Sequence, residues 1–159
     1  MTMMQNNQFI VDQLIRVTAK EAHYLVRTVN RLLGQNVDLS WVELLENNDE
    51  HSEMLDAFVS RYGRLQDTLG DKLLPAMLRA YLEKTDSQLD NLLRAEKLGW
   101  IESTQEWVEL RELRNRLVHE YMESPADLLS ALQQSIQAAY VLTETQLRMA
   151  AYVEKARPV

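Results

Sequence analysis

Apolar residues recur three and four positions apart along nearly the whole chain. That is the spacing of amphipathic helices, not the alternation of strands. Ile10, Leu14, Val17, Tyr24, Leu25 and Leu32 predict a long first helix ending near Gly34. Asp38-Leu-Ser-Trp41 predicts the capped start of a short helix running to Asn47-Asn48. Met54, Phe58, Tyr62, Leu65 and Leu69 predict a second long helix. Gly70 and Pro75 are expected to interrupt it, and Leu73, Leu74, Met77, Leu78 and Tyr81 carry the pattern on. Asp86 is expected to cap a helix through Leu89, Leu92 and Leu93 that ends at Gly99. Ser103 or Thr104 caps the next, through Trp107, Leu110, Leu113 and Leu117. Ser124 and Pro125 open the last, whose stripe is Leu128, Leu132, Ile136, Ala139 and Leu147.

Long helices joined by short breaks pack as antiparallel neighbours. The expected fold is all-α, an up-and-down antiparallel bundle of four to five helices. It forms a single domain over residues 1–159, with 154–159 expected to fray.

Composition narrows the class. The 159 residues are 46% hydrophobic, enough for one sizeable core. No apolar run reaches the roughly 18 to 20 residues of a membrane span, and the first ten residues lack signal-peptide features. A cytoplasmic location with no membrane partner is expected. Cysteine is absent, which removes disulfides and thiolate chemistry.

The net charge of −7 argues against non-specific coating of nucleic acid. It leaves room for a small cationic site and for a basic protein partner. Trp41, Trp100 and Trp107 are expected in the core or an interface, because no basic surface run accompanies them as a base-stacking platform would require. His23 and His51 read as ordinary, and Asp49, Glu50 and Glu53 as a solvated, helix-starting run. No residue spacing points to a metal site, and no Gly-rich loop to nucleotide chemistry in this chain. No cofactor is expected.

One stretch departs from this generic pattern: RELRNRLVHEYM, residues 111–122. On a helical projection Arg114 falls inside the apolar stripe of Leu110, Leu117 and Trp107. His119 lies about 140° away from it, on the face shared with Asn115. Contact between Arg114 and His119 therefore needs a long reach by the arginine, a loosened helix near Val118, or two copies of the chain across a two-fold axis. A histidine can take the proton of a ribose 2′-OH, and a guanidinium can hold the charge of a phosphorane-like transition state. A second histidine or a water would protonate the leaving oxygen, and Asn115 could orient the phosphate or the imidazole. The spacing alone equally fits an arginine paired with a carboxylate and a histidine near a helix C-terminus, where a cation is favoured.

Arg114, Asn115, His119 and Tyr121, within RNRLVHEY, resemble the motif of HEPN-domain proteins, in particular the HepT-like branch. RYGRLQDTLGDKLLPAML, residues 61–78, is similar to an earlier helix of that family. The resemblance implies a small all-α homodimer with the motif near the dimer interface. It implies a metal-independent ribonuclease toxin whose catalytic pair is Arg114 and His119, with Asn115 in support. It further implies a minimal nucleotidyltransferase antitoxin that transfers AMP to Tyr121, so that a bulky anion blocks the phosphate site.

The leading expectation is thus an endoribonuclease toxin of a toxin-antitoxin pair, acting on RNA. The alternative is a non-catalytic binding subunit of the nucleotidyltransferase. In the second resembling block, Arg64 and Asp67 are expected to form an ordinary surface pair. With Arg61 they could instead line the groove near Arg114.

Overall fold

Thr2 opens the first helix. Its hydroxyl accepts from the Gln5 amide while the Gln5 side chain accepts from the Thr2 amide, so two orphan donors are satisfied at once. The computed structural model describes residues 1–120 and 123–158. Helix α1 spans Met3–Leu33, α2 Leu39–Glu43, α3 Asp49–Asp67, α4 Leu74–Ala80, α5 Gln88–Lys97, α6 Thr104–Glu120 and α7 Pro125–Lys155. A short 3-10 turn, Leu45–Asn47, follows α2, and a π-helical turn, Thr68–Leu73, joins α3 to α4. No strand occurs among the described residues. The chain is an all-α helical bundle, as its periodicity predicts.

Cross-helix contacts fix the directions. Arg61 of α3 donates to Thr28 of α1, and Thr68 donates to Glu21. Residue numbers rise along one helix as they fall along the other, so α1 and α3 are antiparallel. Gln146 of α7 reaches Thr18, and Arg157 reaches Asp12, so α7 also runs antiparallel to α1. Arg114 meets Asp67 while Trp107 packs on Gly70, which sets α6 antiparallel to α3 and its π-turn.

The buried faces follow most of the predicted stripes: Leu25 and Leu32, joined by Val29; Phe58, Tyr62 and Leu65; Leu110 and Leu117; Leu128, Leu132 and Ile136. Val17 and Tyr24 of the first stripe are exposed instead. All three tryptophans are buried. Trp100 sits in an edge-to-face cluster with Tyr81 and Tyr152, where ring centroids lie 5.3 to 6.1 Å apart. His51 stacks on Trp41 at 4.9 Å, a structural role.

Several local expectations need correction. Ser87, not Asp86, caps α5 by accepting from the Asp90 amide, while Asp86 accepts from the Ser87 amide. Of the two caps offered for α6, Ser103 is the one used, and the Thr104 amide donates to Glu96. Leu89, Leu93 and Leu147 are exposed, because the short α5 and the outer face of α7 have no neighbour there.

Gly70 and Pro75 do not break the chain's helical course. The widened π-turn gives room ahead of Pro75, which sits at the start of α4 where its missing N–H is cheap. Gly70 lets the Trp107 ring come close enough that a Cβ would meet it at 3.1 Å. At the other end of the chain, α7 continues to Lys155, and Arg157 beyond it donates to Asp12 and Glu154.

Candidate functional site

Arg114 projects from α6 toward α3 and crosses over Gly63. A Cβ at Gly63 would stand 2.7 Å from Arg114 Nε, so the glycine makes the passage for the side chain. Arg114 Nη1 then donates to Asp67 Oδ1 at 2.9 Å. The pair lies at the surface, with side chains 34% and 46% exposed. Arg114 is thus mostly covered, its guanidinium lying against Gly63, yet it remains in reach of solvent.

The fork faces a groove of about 480 Å³ lined by Val59, Ser60, Arg64, Asp67, Lys72, Arg114 and Val118. Three cations, Arg64, Lys72 and Arg114, thus line one groove, and of these Arg114 pairs with Asp67. The surface pair expected between Arg64 and Asp67 does not form. Asp67 faces α6 and is taken by Arg114, while Arg64 stays exposed, its nearest polar partner being Ser60 Oγ at 3.5 Å. Of the other possibility, Arg64 and Asp67 do line the groove of Arg114, whereas Arg61 does not and lines a separate recess with Glu21, Tyr24 and Arg64.

His119 is placed elsewhere. It is 64% exposed, and its Nε2 lies 3.2 Å from Glu123 Oε2. It does not line the Arg114 groove. Helix α6 stays regular through Glu120, so no loosening at Val118 brings the two residues together, and the rotation of about 140° between them persists. Asn115 is exposed beside His119. Tyr121, the expected AMP acceptor, lies outside the described residues. Within one chain, Arg114 and His119 each hold a carboxylate and do not hold each other.

Comparison with protein-family models, with curated proteins and with solved structures gives no match. The site therefore rests on its own chemistry. Two neighbouring groups are electrostatically unusual. Burial pushes the Tyr62 phenol far above its ordinary range, and its hydroxyl donates to the Leu110 carbonyl at 3.0 Å, pinning α3 to α6 beside the groove. Burial also raises the Glu21 carboxyl, against the Thr68 hydrogen bond and the positive charges of Arg64 and Lys72.

Sequence reasoning missed a second cationic feature. Arg16, Lys20, Arg27 and Arg31 are all exposed on α1. Their projected directions fall within about 60° of one another, opposite the buried face. None of them forms a salt bridge among the described residues. This stripe carries no tryptophan, so the reading of Trp41, Trp100 and Trp107 stands beside it. The signal was the 4-, 7- and 4-residue spacing of these cations, which is hidden in a linear reading by the acidic total charge.

A groove of about 660 Å³ runs between α6 and α7, with Leu110, Leu113, Ala138 and Val141 along it and Glu106, Glu109 and Glu112 at its side. Burial raises the Glu106 carboxyl, and Glu102, Glu109 and Glu144 raise it further. No described helix is long and apolar enough to cross a membrane.

Proposed function

We propose that the chain is a metal-independent endoribonuclease of the HepT-like kind, with the scissile phosphate bound at the Arg114 groove. The observation that supports this best is the partly exposed Arg114 side chain, which lines one open groove with Arg64 and Lys72. A phosphate displaces the Asp67 carboxylate from Arg114 and takes its place as the anion. His119 removes the 2′-OH proton, the 2′-oxygen attacks phosphorus, and the 5′-oxygen leaves with a proton from water or a second histidine. The products are a 2′,3′-cyclic phosphate and a free 5′-hydroxyl. Glu123 orients the imidazole through its contact at 3.2 Å. Asn115, on the same face as His119, positions the phosphate or the ring.

In this reading the reactive pair is completed across a homodimer, because one helix holds Arg114 and His119 on different faces. A minimal nucleotidyltransferase antitoxin acts on Tyr121, where an added AMP brings an anion to the motif. The test is cleavage of RNA by purified protein with chelator present, beside His119→Ala, Arg114→Ala and a mixture of the two variants. Cleavage by the wild type, its loss in each variant and partial recovery in the mixture are the expected results. Persistent cleavage by His119→Ala overturns the assignment.

A non-catalytic binding subunit of the nucleotidyltransferase is the second reading. It is favoured by the neutralising Arg114–Asp67 pair and by the apolar, acid-edged groove between α6 and α7, which suits a basic partner segment. Under it, the unmodified protein leaves RNA intact and still binds the nucleotidyltransferase.

A further inference from the structure

We infer that the exposed face of α1 is a track for a single-stranded nucleic acid leading into the Arg114 groove. The inference rests on the ribonuclease reading for what happens at the end of the track, but the track itself is argued from α1.

Arg16, Lys20, Arg27 and Arg31 cover about 22 Å along the helix axis. They form two pairs, each one turn apart, so each pair can fork onto adjacent phosphates. The two carboxylates of α1 have partners, Asp12 with Arg157 and Glu21 with Thr68, and Glu21 faces the recess beside Tyr24 rather than the cation stripe. Aromatic rings stand along the same face: Phe9 is exposed, and His23 and Tyr24 lie side by side with centroids 5.8 Å apart. Cations interleaved with exposed rings suit phosphates and unstacked bases together. A folded acidic protein surface supplies the charge but no bases for the rings.

The track is continuous with the groove. Arg61 lies over the Tyr24 ring, 5.4 Å from its centroid, and donates to Thr28. Tyr24, Arg61 and Arg64 line a recess together with Glu21. Arg64 also lines the groove that holds Arg114. A strand lying on α1 can therefore pass over Tyr24 to Arg61 and Arg64, and from Arg64 into the candidate phosphate site. The acidic total charge does not oppose this, because the carboxylates of Glu106, Glu109 and Glu112 edge the separate groove between α6 and α7.

The experiment measures binding of a uridine oligonucleotide of about 20 residues, which covers the track and the groove. It uses full-length His119→Ala protein across a range of salt, so that cleavage does not interfere. The comparison protein adds Arg16→Gln, Lys20→Gln, Arg27→Gln and Arg31→Gln, all at exposed positions without ion pairs among the described residues. Four lost phosphate contacts lower the slope of log affinity against log salt by about 3, and lower affinity near 0.1 M salt on the order of a hundredfold. Lys20→Gln with Arg27→Gln alone lowers the slope by about 1.4, which keeps the test open if the fourfold variant misfolds.

An unchanged slope overturns the track. So does preferential binding of polyglutamate over the oligonucleotide, which assigns the stripe to an acidic protein. Salt-dependent binding without any cleavage by the wild type overturns the ribonuclease reading and leaves the track standing. Cleavage with an unchanged slope does the reverse.

Discussion

Arg114 owes its place to a side chain that is absent. Any Cβ at position 63 collides with the guanidinium, at 2.7 Å from Nε and 2.9 Å from Nη2. The colliding atoms are the far end of a flexible chain, so Gly63→Ala moves the arginine rather than the helix. Alanine also favours the helix interior by about 1 kcal/mol over glycine. The expected outcome is a variant whose unfolding free energy in denaturant stays within about 1 kcal/mol of the wild type. Its Arg114–Asp67 pair is lost, and its RNA cleavage falls more than about tenfold if Arg114 binds the phosphate. The sequence showed Arg114 within an apolar stripe but not what relieved it. A helix projection says which way a residue points. It does not say that the facing helix carries a glycine opposite it and an aspartate four residues further on.

Helix ends show the same division. Ser124 and Pro125 could be read as a start because the cap and the following proline act within a few residues, and Ser124 accepts from the Asp127 amide. The end of α5 was equally legible at Gly99. Its φ is +79°, and the Trp100 amide donates to Ala95 and the Gly99 amide to Glu96, the bonds of a left-handed helix stop. The end of α4 has the same bonds, Glu83 to Leu78 and Leu82 to Arg79, but leucine takes the left-handed position at φ 60°. No sequence rule marks a leucine there. The conformation costs about 1 kcal/mol in a residue with a Cβ. Leu82 is 78% exposed, so its side chain returns little burial. Leu82→Gly should raise the unfolding free energy by about 0.5 to 1 kcal/mol, read from chemical denaturation. Asp86 was misread as a cap because Asp and Ser both suit that position, and only the backbone at Ser87 chose between them.

Across the molecule, one carboxylate couples packing to pH. Glu21 on α1 accepts from Thr68 in the π-turn, and burial outweighs that bond and the nearby cations to raise its pKa above 4.5. A carboxyl raised in the folded state favours folding when protonated. That contribution is present below the unfolded value and is lost as pH rises through the folded one. Glu21→Gln should therefore stabilise the bundle at neutral pH, by less than about 1 kcal/mol because the site is partly solvated. The gain should shrink in thermal melts as pH falls toward and below the ordinary carboxyl range, where Glu21 takes up its proton in both states.

The sequence by itself determined the all-α class, the positions of the long helices and the burial of the tryptophans. Those depend on apolar periodicity and local caps, which are written within a few turns of chain. It also placed Arg114 and His119 on different faces of one helix, and the regular course of α6 keeps them there. Tertiary structure alone decided that Asp67 holds Arg114, that Arg64 and Lys72 share its groove, and that Arg61 lies over Tyr24 of α1. Each of those contacts joins residues dozens of positions apart, and their geometry exists only once antiparallel helices fix which turns oppose each other.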